Sequence, residues 1–266
     1  MSSEATKSGK TIDLSIEIDA TPEQVWEAIS QAEGLKRWFP LDAGVTPGEG
    51  GSMTWSWGEG CEGTAEISAW EEGSHIQLIE RPASETTAPI LTDFRIETRS
   101  GKTVLRLVNS GFDPGEEWAD YVDTLDSGWR YFLWNLKHYL ERHPATPRRM
   151  VWSREKSPLS KDEAWRRLLG PGGLAKTTAR PSVGDPVTLW SGHKGRVQQV
   201  RHPIHFAAVF PDLNDAILFL EFEPGTTFHL GVWLSLYGVE EEQALQLETS
   251  LGATLAAFKP VQPDER

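Results

Sequence analysis

The sequence predicts an α+β chain that carries one architecture twice in tandem: a strongly curved antiparallel sheet wrapped around a long C-terminal helix, with the second copy degenerate. Three observations predict it. In each half a capped short helix is followed by alternating or apolar runs separated by glycine and proline. Each half then closes on a helical period, aromatic in the first and leucine-rich in the second. The two capped helices, TPEQVWEAI and SKDEAWRRL, also match step for step at an offset of 139.

Taken in order, IDLSIEI (12 to 18) alternates strictly and reads as a strand with one buried face. In DATPEQVWEAI, Thr21 caps a helix from about Pro22 to Ser30; Pro22 suits its first turn, and Gln24 completes a capping box. GLKRWFP precedes five further extended segments: SMTWSW, GTAEISAW, HIQLIE, LTDFRIET and KTVLRLVN. The SG at 100 to 101 joins the last two as a hairpin. From about Trp118 to Glu141, Trp118, Val122, Leu125, Trp129, Phe132, Leu133, Leu136 and Leu140 recur at helical spacing. Such a helix is on the order of 35 Å long, enough to cross a sheet. Gly128, inside it, is expected to let the backbone approach the sheet, at about 1 kcal/mol relative to alanine.

The second half repeats the scheme. Ser160, Glu163 and Trp165 stand where Thr21, Gln24 and Trp26 stand, and Gly173 and Leu174 follow as Gly34 and Leu35 do. PVTLW, RVQQV, IHFAAVF, AILFLEF and FHLGVWLSLYG read as strands. Leu245, Leu247, Leu251, Leu255 and Phe258 suit a final helix. Domains are expected at 11 to 143 and 150 to 260, joined by HPATPRR (143 to 149).

Composition limits the function. The 266 residues carry a net charge of −13, and its distribution is uneven: residues 1 to 143 hold 25 acidic and 12 basic side chains, whereas the remainder is balanced. An acidic half without a basic stripe argues against nucleic acid as a partner. With no apolar run of spanning length and a polar start, MSSEATKSGK, neither a membrane span nor a leader is expected, and the expected location is the cytoplasm. Cys61 has no second cysteine to pair with, and the flanking glutamates of GEGCEG disfavour a thiolate.

TPEQVWEAI, GLKRWFP, GGSMTWSWGEG, LTDFRIETRSGKTVLRLVNSGF and DSGWRYFLWNLKHYLERH, in this order and spacing, resemble the SRPBCC or START-like superfamily. The nearest branch is that related to the C-terminal domain of the heat-shock-protein-90 ATPase activator homologue. The resemblance covers about residues 11 to 143; the second half is similar in outline but lacks the RWFP and GW motifs. It implies a helix-grip fold with a hydrophobic cavity between sheet and helix. Members bind lipids, sterols, polyketides and other apolar molecules; some are cyclases or hydrolases, and a few related proteins assist the chaperone.

On this basis Trp38, Phe39, Trp55, Trp57, Phe94, Trp118, Trp129 and Phe132 are expected around a cavity that takes a small apolar or aromatic molecule without a cofactor. Complete filling of the core by the same rings stays open on the sequence alone. An enzyme of the cyclase or hydrolase kind and a protein that docks on a chaperone are the alternatives. Asp93 and Glu97 share the strand face opposite Phe94 and are expected in solvent, and Asp120, Asp123 and Asp126 suit the dipole at the start of the long helix. Tyr121, Arg106 and His75 are isolated candidates for a pocket mouth. His202 and His205 lack the further ligands a metal site needs, and His138 and His143 suit a helix C-terminus. No phosphate-binding glycine loop or GxSxG elbow occurs.

Overall fold

The computed structural model describes residues 10–81, 88–112, 119–225 and 228–256. The chain divides into two compact units, Met1–Thr146 and Pro147–Arg266.

In the first unit, β1 (Ile12–Ile18) leads into α1 (Pro22–Ser30) and a single turn, α2 (Ala32–Leu35). The strands β2 (Asp42–Thr46), β3 (Ser52–Ser56), β4 (Glu62–Glu71), β5 (His75–Glu80), β6 (Ile90–Arg99) and β7 (Lys102–Ser110) follow, and α3 (Ala119–Arg142) closes the unit. They form one antiparallel sheet in the order β1-β7-β6-β5-β4-β3-β2. The capping box at Thr21 is reciprocal: its hydroxyl accepts from Gln24 N at 3.3 Å and the Gln24 side chain accepts from Thr21 N at 2.9 Å. Ser100 and Gly101 both take positive φ, the conformation a two-residue hairpin requires. The sequence reading lacked α2 and β2: DAGVT is too short and too weakly apolar to stand out, and pairing with β3 makes it a strand.

The second unit repeats the seven strands, the capped helix and the closing helix of the first in the same order. It comprises β8 (Arg148–Lys156), α4 (Lys161–Leu169), β9 (Ala175–Lys176), β10 (Pro186–Leu189), β11 (Lys194–Arg201), β12 (His205–Phe210), β13 (Ala216–Phe222), β14 (His229–Tyr237) and α5 (Glu241–Ala256). Its sheet order, β8-β14-β13-β12-β11-β10-β9, is that of the first sheet with every strand replaced by its counterpart. Even the irregularities recur. A bulge interrupts the pairing of β4 with β5 between Ile67 and Ala69, and another that of β11 with β12 between Val197 and Gln199. The expected linker, 143 to 149, is partly strand, because Arg148 and Arg149 pair with Tyr237 and Leu236. No described helix is long and apolar enough to cross a membrane.

Two glycines 139 positions apart do the same work. A Cβ on Gly34 would fall 2.1 Å from the carbonyl oxygen of Glu27, and one on Gly173 would fall 2.3 Å from those of Arg167 and Leu168. Glycine thus lets the chain double back against the helix it has just left. Gly128 is different. A Cβ there would meet only the Phe132 ring, at 3.9 Å, so the expectation of a close backbone approach is incorrect; Gly128 leaves space rather than closing it.

Degeneracy of the second copy shows on the outer sheet face. His75 opens β5, buried, with Nε2 2.8 Å from Asp93 Oδ2. Asp93 also receives Gln77 Nε2 at 3.0 Å and pairs with Arg95 at 2.9 Å. Burial pushes the Asp93 carboxyl up, but the hydrogen bonds from His75 and Gln77 and the charges of His75 and Arg95 outweigh it and leave it below the usual range. Asp93 is therefore not the solvent-borne residue expected; its side chain is 13 % exposed. His205 opens β12 in the same way, yet register puts Phe219 where Asp93 would be, and the His205 ring lies 5.7 Å from that phenyl. Burial, followed by the charge of Arg201, depresses His205 to about 4.

Two predictions follow from this packing. Gly34→Ala and Gly173→Ala should each destabilise their own unit by about 1–3 kcal/mol or more in urea melts, since the clash is with helix backbone. The folded pKa of His205 lies below the ordinary 6.5, so stability is intact above that pH and is lost as pH falls towards 4. Relative to wild type, His205→Phe should therefore gain about 2 kcal/mol between pH 8 and pH 5. Glu221, opposite His205 on β13 and pushed up to about 7 by burial, is common to both proteins in that comparison. A pH-independent difference would show that His205 is not held neutral.

Candidate ligand-binding site

The first unit contains a cavity of about 230 Å³ between the inner face of the sheet and the N-terminal half of α3. Two levels of structure create it. The C-terminal half of α3 is clamped down: Leu133, Leu136, Tyr139 and Leu140 are buried, Lys137 Nζ donates to Glu17 O at 2.6 Å, and Asp19 N donates to Glu141 Oε1 at 2.8 Å. The turns before Leu133 present Tyr121, Leu125, Gly128, Trp129 and Phe132 to the cavity instead.

The rings form a connected wall. Phe39 stacks on Trp129 at 5.6 Å and meets Phe132 edge-on at 4.9 Å and Trp57 edge-on at 5.4 Å. Trp57 and Phe132 are 5.2 Å apart. Trp55 lies over Gly63 on the neighbouring strand, where a Cβ would fall 2.2 Å from the indole. Edge-to-face contacts fix the rings at angles that leave gaps aliphatic side chains would close.

Five of the eight residues expected around a cavity line it: Phe39, Trp55, Trp57, Trp129 and Phe132. Two are elsewhere. Trp38 is 1 % exposed and points away, its indole N–H donating to Ala28 O at 2.9 Å on α1, because that carbonyl offers the buried N–H a partner. Phe94 is buried behind Trp129, the rings 5.8 Å apart, and supports the wall without forming it. Trp118 lies outside the described residues. Of the isolated candidates only Tyr121 reaches the cavity. His75 belongs to the opposite sheet face, and Arg106 is engaged there by Asp13 at 2.6 Å.

Sequence reading missed the polar end. Glu80, Thr92 and Asn109 line the cavity on β5, β6 and β7. Each interrupts the apolar parity of its strand: Glu80 follows Ile76 and Leu78, Thr92 precedes Phe94 and Ile96, and Asn109 follows Leu105 and Leu107. Register then makes them neighbours, Leu78 facing Thr92 and Thr92 facing Asn109. That shared break in alternation was a usable signal. Asn109 Nδ2 donates to Leu91 O at 2.9 Å and to Thr92 Oγ1 at 2.8 Å, while its Oδ1 is buried with no hydrogen-bond partner. Trp129 Nε1 is likewise buried and unpartnered. Burial raises the Glu80 carboxyl above its ordinary range, and burial, together with the charge of Glu80, raises the Tyr121 phenol.

The second unit carries large apolar side chains on the corresponding strands. Phe206, Phe210, Phe222, Phe228, Leu218 and Leu220 are all buried in one core. Two spaces lie against the edge strand β8: about 60 Å³ near Ser153, Leu159, Ala164 and Leu230, and about 210 Å³ between Trp152 to Glu155 and Glu248 to Ala256.

A comparison with curated proteins gives no match. Among solved structures, the chain is similar to the Aha1 dimer from Colwellia psychrerythraea, at 22% identity over 50% of this chain and 96% of that one, with a TM-score of 0.45. It is similar along 96% of its length to the whole of the di-domain ARO/CYC BexL from the BE-7585A biosynthetic pathway, at 15% identity and a TM-score of 0.44. DynU16, a putative protein in the dynemicin biosynthetic locus, is similar at 17% identity over 93% of this chain and 96% of its own, with a TM-score of 0.44. The family model described as Activator of Hsp90 ATPase homolog 1-like protein matches residues 19–141. That match lies wholly within the first unit and supports assigning it to the activator of Hsp90 ATPase homolog 1-like group of the SRPBCC or START-like superfamily.

Proposed function

We propose that the first unit binds one small, predominantly apolar ring compound in the cavity beneath α3, without a cofactor. The observation that carries this reading is the space of about 230 Å³ walled by Phe39, Trp55, Trp57, Trp129 and Phe132. A dry apolar cavity of about 150 Å³ suffices for benzene, so this one suits a molecule of one or two fused rings. Burying roughly 300 Å² of apolar surface contributes about 7 kcal/mol before the cost of association, which supports affinities towards the micromolar range.

Two observations favour other readings. The family match and the acidic first half favour contact with a chaperone, which would appear as capture that weakens as salt rises. Glu80 and Tyr121, both facing the cavity, favour acid–base turnover of the polyketide-cyclase kind.

The ligand reading is tested by titrating naphthalene-type compounds against tryptophan fluorescence in wild type and in Gly128→Leu. Gly128 lines the cavity with room beyond its Cα, so leucine should fill the space without breaking the fold and should raise helix stability by about 1 kcal/mol. Saturable quenching in wild type, lost in a Gly128→Leu protein that melts no lower than wild type, is the expected result. Absence of saturable quenching in wild type, or its persistence in the filled variant, overturns the reading.

A further inference from the structure

The rings explain an apolar guest but leave the polar end of the cavity without a role. Glu80 faces inward, and no lysine, arginine or histidine is among the described lining residues. Asn109 is 1 % exposed, and its orientation is fixed chemically: Leu91 O can only accept, so the amide nitrogen must face it and Oδ1 must face away. That oxygen has no donor. A buried acceptor left unsatisfied costs about 1–3 kcal/mol, which a donating ligand would recover. An ionised carboxylate and a bare amide oxygen both require donors, so a guest that serves this end must carry N–H or O–H groups.

Charge then separates the possible donors. A half-buried carboxylate with no counter-ion among the described residues favours a cation over a neutral hydroxyl. The faces of Phe39, Trp57, Trp129 and Phe132 carry the negative part of the ring quadrupole, which also favours a cation. Residues 1 to 143, with 25 acidic side chains against 12 basic, attract cations and repel carboxylate-bearing molecules at longer range.

Building on the binding reading above, we propose that the cavity selects a protonated aromatic amine, its rings against Phe39, Trp129 and Phe132 and its ammonium group directed at Glu80 and Asn109 Oδ1. The upward push that burial gives the Glu80 carboxyl is what an uncompensated acid shows, and a bound ammonium supplies the missing charge. The buried, unpartnered Trp129 Nε1 adds a donor suited to an oxygen substituent on the guest's ring.

Three isosteric probes test the proposal on the full chain at neutral pH: naphthylmethylamine, naphthylmethanol and naphthoate, each titrated by calorimetry. The amine should bind about ten-fold or more tighter than the alcohol, and the carboxylate should bind weakest. In Glu80→Gln, which keeps the shape of the side chain, the amine should lose its advantage and bind no more than about two-fold tighter than the alcohol does to the same variant. The melting temperature of the variant, expected to equal or exceed that of wild type because a buried carboxyl has been removed, reports that it folds. Equal binding of amine and alcohol, or an amine preference that survives in Glu80→Gln, overturns the cation proposal and leaves the apolar cavity standing. Failure of all three probes to bind wild type overturns both.

Discussion

Trp38 ties together the parts on which the cavity depends. Its indole N–H is bonded to Ala28 O on α1, and its backbone carbonyl accepts from the buried Asn135 side chain on α3. One residue thereby links the short helix, the loop after it and the long helix. The next residue, Phe39, stacks on Trp38 at 5.3 Å and on Trp129 at 5.6 Å. Phe39 is thus packed between a buried neighbour on one side and a helix on the other. Arg37, on the other side of Trp38, donates to Tyr139 Oη at 3.0 Å and adds a second tie to α3.

With α3 fixed at its C-terminal end, the two halves of the helix have different surroundings. Leu133, Leu136 and Leu140 meet a complementary sheet surface and leave no space. One to three turns earlier, the helix offers Gly128 and three rings, and the sheet offers Glu80, Thr92 and Asn109. Rings locked at right angles do not collapse to fill a gap as leucines do, and polar groups do not reward collapse. The cavity is thus a consequence of which residues occupy one end of an otherwise ordinary interior.

The second unit shows what the same topology does when that end changes. Strand order, capped helix, doubling-back glycine and bulge are all retained, while the interior is packed with phenylalanine and leucine. The exchange of Asp93 for Phe219 beneath the equivalent histidine follows the same trend, from a paired polar cluster to an apolar contact. Topology is therefore kept by backbone pairing and a few obligatory glycines, whereas binding capacity rests on side chains that can diverge independently.

Much of this was legible in the chain itself. Alternation in IDLSIEI, the TPEQ capping box, the SG hairpin and the step-for-step match of TPEQVWEAI with SKDEAWRRL determine elements, their order and their duplication, because these are local periodicities and local hydrogen bonds. The aromatic lining was half legible. Phe39, Trp55, Trp57, Trp129 and Phe132 were recognisable as a group, but Trp38 differs from Phe39 only in where its N–H finds a carbonyl, and no sequence pattern encodes that. The polar end shows in the sequence only as three separate breaks in alternation, and tertiary structure assembles them. Glu80, Thr92 and Asn109 are far apart along the chain and become one surface only through the register of β5, β6 and β7. Whether Gly128 closes an interface or opens a space was likewise settled by the distance between helix and sheet, a quantity set by packing at the other end of α3.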